Sequence, residues 1–72
     1  MNFRDIVNSG KKSQRQEMIA CLVLDGMSMS TIYAYFSGAR TPRLAFQNKI
    51  CQYVKDIYNV TSTPEELFPE GN

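Results

Sequence analysis

Apolar residues recur along this chain at helical spacing, in short blocks separated by polar joints. The first block, Asn2 to Asn8, puts Phe3, Ile6 and Val7 on one face and predicts a short helix, with Gly10 as a left-handed stop. After the basic joint Lys11-Lys12, Ser13 is a good N-cap, and Gln16 three residues on completes a capping box. The helix it opens runs to about Asp25. Met18, Ile19, Leu22 and Val23 form its apolar face, and Ala20, Cys21 and Leu24 widen it, so this helix is expected to be well buried. Gly26 follows as the natural C′ residue, where positive φ costs glycine nothing.

Ser28 or Ser30 caps the next helix, which runs to about Ser37 and stops at Gly38. Ile32, Tyr35 and Phe36 face inward; Met29, Ser30, Tyr33, Ala34 and Ser37 are left on the other side. This helix has no charged side chain, so something is expected to cover its outer face. Thr41-Pro42 reads as an N-cap followed by proline at the first helical position, opening a helix from Pro42 to about Tyr58. Phe46, Ile50, Tyr53, Val54 and Ile57 make a clean apolar stripe along it, and Asn59 ends it. Thr63-Pro64-Glu65-Glu66 repeats the cap-plus-proline start, with Glu66 closing a capping box. Leu67 and Phe68 are then expected to fold back on the core. No strand pattern and no internal repeat is visible. The expectation is an all-α, compact four- to five-helix domain over residues 1–68, with a short polar tail at 69–72 that frays.

A chain of 72 residues buries one modest core, and a deep cleft between two layers is not expected at this size. The composition is that of an ordinary soluble globular protein. No apolar run reaches the ~18 residues that a membrane span needs. The N-terminus lacks the basic and apolar regions of a signal peptide. A cytoplasmic location follows as an expectation, with no membrane partner. Cys21 and Cys51 both fall among apolar residues, and reduced, packed thiols are the expectation there. The chain has no histidine, which removes the commonest general base and metal ligand. Two isolated cysteines do not build a four-ligand zinc site. No nucleophile stands beside a base, no carboxylates pair, and no phosphate-binding glycine loop is present. An enzyme is therefore not expected, nor a cofactor or a metal, and no small-molecule ligand is evident.

Charge changes the picture. Through Lys49, seven cations stand against three anions, a balance of +4; from Ile50 on, one cation faces four anions, a balance of −3. A basic body with an acidic tail suits a polyanion on one face, or is plain solvated surface. Within the body, Gly26 to Pro42 reads as a stop, a turn, a capped short helix, a second stop, and a basic loop launching another helix. That is the order of a helix-turn-helix, whose second helix enters a DNA major groove.

These residues resemble the lambda-repressor-like family of helix-turn-helix domains, the Cro and XRE group. The family has a turn glycine, an apolar residue, a Ser/Thr cap and Ser-Thr-Ile/Leu on its recognition helix; here these are Gly26, Met27, Ser28 and Ser30-Thr31-Ile32. It then has a glycine, a basic residue and a proline, here Gly38, Arg40 and Pro42, and it closes on Glu-Glu-Leu-Phe, here Glu65 to Phe68. The likeness runs from roughly Met18 to Phe68. Leu22 stands where the family usually has a small residue four before the turn glycine, and Met18 where glutamine is common.

The resemblance implies a motif over about 18–37 with its recognition helix at about 28–37. Met29, Ser30, Tyr33, Ala34 and Ser37 become the candidates for base contact. Ser30 can donate or accept at a base edge, and Met29 and Ala34 can lie against a thymine methyl. Tyr33 can reach a base or phosphate, or pack against a second copy. Arg40, Thr41 and Arg43, beside a helix start, are candidates for phosphate contact. So are Lys11, Lys12, Gln14, Arg15 and Gln16, which open the preceding helix. The bland alternative for both groups is surface charge with ordinary capping. The recognition helix lacks Arg, Asn and Gln, so modest specificity or reliance on DNA shape is expected. Tyr53, Tyr58 and Phe68 are read as core or dimer surface.

The implied function is sequence-specific binding of double-stranded DNA by a small transcriptional regulator of prokaryotic or phage type, with a homodimer by analogy. The rival is a protein-interaction module on the same fold, an antitoxin or adaptor using the uncharged face of helix 28–37.

Overall fold

The computed structural model describes residues 1–69. Its elements are α1 (Phe3–Ser9), α2 (Lys12–Leu24), α3 (Met29–Ser37), α4 (Leu44–Tyr58) and α5 (Pro64–Leu67), with no strand among the described residues. The all-α expectation is met; Glu70 to Asn72, most of the tail expected to fray, lie outside the described residues.

Several helix ends have a local chemical cause. Asn2 opens α1 by accepting the Asp5 N–H on Oδ1 at 2.8 Å. Between α2 and α3 the ambiguity of the cap resolves to Ser28, whose Oγ accepts the Thr31 N–H at 3.3 Å. Both α2 and α3 end in a Schellman arrangement. Met27 N–H reaches the Leu22 carbonyl at 3.1 Å and Gly26 N–H the Val23 carbonyl at 2.9 Å. Ala39 N–H reaches the Ala34 carbonyl at 2.9 Å and Gly38 N–H the Tyr35 carbonyl at 3.3 Å. The two glycines take φ of +92° and +83°, as their places in the sequence predict. Asn59 ends α4 with φ +57°. Thr63 and Glu66 exchange the two bonds of a capping box at the start of α5.

The antiparallel pair α2 and α4 is the frame. Asp25, just past the end of α2, meets Lys49 and Tyr53 in the middle of α4, while Gln14 near the start of α2 donates to the Ile57 carbonyl near the end of α4. Between them and α3 lie the buried Met18, Leu22, Ile32, Ile50 and Val54. A second part of the core is aromatic. Phe3 of α1 packs its ring 5.7 Å from that of Phe36 and 5.4 Å from that of Phe68, joining α1, α3 and the end of α5.

Four local expectations are corrected. Gly10 is not a left-handed stop: its φ of −79° and ψ of −178° are extended. It is small because the Tyr58 ring crowds it, and a Cβ there would lie 2.6 Å from Tyr58 Cε1. Ser13 is not the cap of α2. The helix starts at Lys12, and Gln14 rather than Gln16 closes its entry by accepting the Lys11 N–H at 2.8 Å. Thr41-Pro42 does not open α4, which begins at Leu44 with Arg43 as its flanking residue. Pro42 is buried instead, and its carbonyl takes the side-chain amide of the buried Gln47 at 2.8 Å. That bond holds the chain extended for two more residues.

The burial of α2 is the fourth correction. Only Met18 and Leu22 are buried; Ile19 and Cys21 are half-buried, Ala20 is exposed, and Val23 and Leu24 are 47% and 87% exposed. A chain this short has too few elements to cover all sides of α2.

Candidate nucleic-acid interface

The turn Asp25–Ser28 sets α3 against the end of α2, and α3 divides into two faces. Ile32, Tyr35 and Phe36 are buried, as expected. Ser30 and Ser37 are exposed, Met29 and Tyr33 are 42% and 48% exposed, and Ala34 is half-buried. The predicted outer residues therefore share one uncharged face, open at Ser30, Ser37, Met29 and Tyr33 and partly covered at Ala34. Two of its hydroxyls are already engaged locally. Ser37 Oγ donates to the Ala34 carbonyl at 3.2 Å, and Ser30 Oγ lies 3.2 Å from the capping Ser28 Oγ. Tyr33 is braced edge-on against Phe36, with ring centroids 6.4 Å apart.

The basic residues do not form one group. Lys11, Lys12 and Gln16 are exposed at the start of α2. Gln14 turns inward, and its amide is used by Lys11 and Ile57. Arg15 is half-buried and docked. Its guanidinium lies 5.0 Å from the Phe36 ring centroid, and Nη1 donates to Asn8 Oδ1 at 2.7 Å. Asn8 in turn donates to the Phe36 carbonyl at 3.1 Å. Arg15 thus ties α1 and α2 to the second half of α3.

Arg40, Thr41 and Arg43 are exposed in the segment between α3 and α4, and the Arg40 N–H donates to the Ala34 carbonyl at 3.2 Å. Arg43, not Thr41, flanks the first turn of α4, where the leading N–H groups lack intrahelical partners. Arg4 was not foreseen. It projects from α1 across the end of α3, with Cδ 3.6 Å from where a Gly38 Cβ would stand. Its position i+1 from Phe3 signalled only an exposed side chain; nothing local says that α1 runs past Gly38. The Arg4 and Arg15 side chains therefore lie against the second half of α3, and Arg40 follows two residues after Gly38, its backbone bonded to Ala34.

Asp25 has a structural role. Its carboxylate accepts Lys49 Nζ at 2.8 Å and Tyr53 OH at 2.6 Å, clamping the turn to α4. The Lys49 hydrogen bond, seconded by Tyr53, holds the Asp25 carboxyl below its usual range. The same contact raises the Lys49 ammonium and the Tyr53 phenol. Lys49, counted in the basic body, is thereby paired, its charge offset by Asp25. The free thiols of Cys21 and Cys51 are pushed up by burial, which keeps them poor nucleophiles. Tyr58 is half-buried against Gly10 and its phenol is likewise raised by burial, while Phe68 is core. Among the described residues no helix is long and apolar enough to cross a membrane.

No family model, characterised protein or solved structure matches this chain. The functional reading therefore rests on the residues and their geometry.

Proposed function

We propose that this chain is a sequence-specific DNA-binding protein of the lambda-repressor-like helix-turn-helix class, a small transcriptional regulator of prokaryotic or phage type. The observation that carries the reading is a capped helix held by a short turn, with an open uncharged face and cations around one end. Met29, Ser30, Tyr33, Ala34 and Ser37 on that face would meet base edges in the major groove. Arg40, Thr41 and Arg43, with Arg15, Lys11, Lys12 and Gln16, would set register on the phosphates. Gln14, half-buried like Arg15, would join them through the amide hydrogen that Ile57 leaves free. The exposed face has no Arg, Asn or Gln, so much of the selectivity would come from DNA shape.

The test is selection from random duplex DNA at two salt concentrations, with Arg40→Ala/Arg43→Ala as control. One enriched motif, weakened by the double substitution, supports the reading. Affinity should fall with salt at a log–log slope of about −0.9 per phosphate neutralised. No retention at low salt refutes it.

One observation favours a second reading. Met29 and Tyr33 on α3 are exposed, and so are Val23 and Leu24 at the end of α2. Such a surface suits a protein groove, as in an antitoxin or adaptor. Binding of that kind would persist at salt concentrations that strip DNA.

A further inference from the structure

A concavity of about 240 Å³ opens between α1, the 38–41 segment and the chain leaving α5. Tyr35 and Phe68, 8% and 7% exposed, give its floor an apolar aromatic surface, and Phe3 and Leu67 lie buried beneath them. Its rim carries Asn2, Arg4, Arg40 and Thr41. The Arg4 stem lies over the end of α3 beside Gly38, with Cδ 3.6 Å and Nη1 4.0 Å from where a Cβ would stand. Neither arginine has an acidic partner among the described residues, whose single ion pair is Lys49–Asp25.

We propose that this concavity binds a small organic anion: one carboxylate or phosphate group taken by Arg4 and Arg40, with a flat apolar body seated on the aromatic floor. Guanidinium groups suit either oxyanion, because their planar forks match its geometry. Thr41 adds a hydroxyl donor. Asn2 spends its Oδ1 on the Asp5 N–H, which leaves its amide donors for the ligand. The volume admits a single ring and its charged group. A DNA phosphodiester reaches the rim but has nothing to place on the floor. The site is separate from the Met29–Ser37 face and shares only Arg40 and Thr41 with the DNA contacts proposed above. If that reading holds, the organic anion and DNA compete for Arg40; the binding site itself does not depend on it.

The test is an NMR titration of the isotope-labelled full chain, free of DNA, with phenyl phosphate, benzoate and inorganic phosphate. The expected result is saturable shifts at the amides of Phe3, Arg4, Gly38 to Thr41, Leu67 and Phe68. Phenyl phosphate or benzoate should bind about tenfold more tightly than inorganic phosphate, from burial of the ring. Arg4→Gln and Arg40→Gln should each weaken that binding about tenfold, the scale of a lost charged hydrogen bond. Both side chains are exposed, so circular dichroism should show both variants folded. Tighter binding of phenyl phosphate marks a phosphate site and tighter binding of benzoate a carboxylate site; either supports the proposal. It is overturned if neither binds, if inorganic phosphate binds equally well, or if the shifts spread evenly to Lys11, Lys12 and Arg43. Because the free protein is read, failure to bind DNA would remove the proposed function and leave this result standing.

Discussion

Replacing Gly10 with alanine separates two reasons for a glycine at the end of a helix. Were its backbone left-handed, alanine would cost about 1–2 kcal/mol whatever surrounded it. The observed φ of −79° suits alanine, so the penalty is one of space. The new Cβ would lie 2.6 Å from Tyr58 Cε1, 2.9 Å from Gln14 Oε1 and 3.2 Å from the Ile6 carbonyl oxygen. Pushing the Tyr58 ring aside is an overpacking cost of about 1–3 kcal/mol. Moving Gln14 strains its bonds to Lys11 and Ile57, worth about 0.5–1.5 kcal/mol each. Alanine recovers about 0.4–1 kcal/mol by restricting the unfolded chain. The net expectation is a loss of about 1–3 kcal/mol, or roughly 4–8 °C in Tm per kcal/mol for a domain of this size. Urea unfolding of wild type, Gly10→Ala, Tyr58→Leu and the double variant closes a cycle. The expected result is a coupling of about 1 kcal/mol or more, with only the cost of moving Gln14 left to Gly10→Ala once Tyr58→Leu has removed the ring. Additive effects, within about 0.3 kcal/mol, would refute the close-approach argument.

Three further outcomes are expected. Because the Asp25 carboxyl is lowered in the folded state, its contribution is present above the ordinary carboxylate pKa of about 3.9 and is lost as pH falls through the lower folded value. Lys49 and Tyr53 are raised, so theirs is present below about pH 10 and lost as pH climbs through their folded values. Asp25→Ala should flatten both limbs of a stability–pH profile from urea melts; unchanged limbs would show that the clamp is not what titrates. Leu22→Ala should cost about 3–5 kcal/mol, enough to unfold much of the population, whereas Leu24→Ala at 87% exposure should change stability by less than about 0.5 kcal/mol. Thermal melts with equal losses at both positions would contradict the observed placement of α2. Thr63→Ala should cost about 1 kcal/mol as a true cap, and Thr41→Ala almost nothing. The reverse order in chemical denaturation would restore Thr41 as the cap of α4.

Local chemistry was legible in the sequence wherever one or two neighbours decide the outcome. Gly26 and Gly38 end helices because positive φ is nearly free only to glycine, and that holds in any surroundings. The Thr63–Glu66 box and the apolar periodicity of α3 and α4 are readable for the same reason. So was the open face of α3, since Ile32, Tyr35 and Phe36 can bury only one side of a short helix. Tertiary structure decided what depends on residues distant in sequence. Pro42 is a buried segment rather than a helix start because Gln47, from the next helix, takes its carbonyl. Gly10 is small for the sake of Tyr58, and the Gln14 amide is tied to the Ile57 carbonyl. Arg15 stacks on Phe36, and Arg4 meets Arg40 around a concavity that no single stretch of chain contains. Periodicity tells which side of a helix is apolar; which helix stands opposite, and whether the chain has enough of them to cover that side, is settled only when all five pack together.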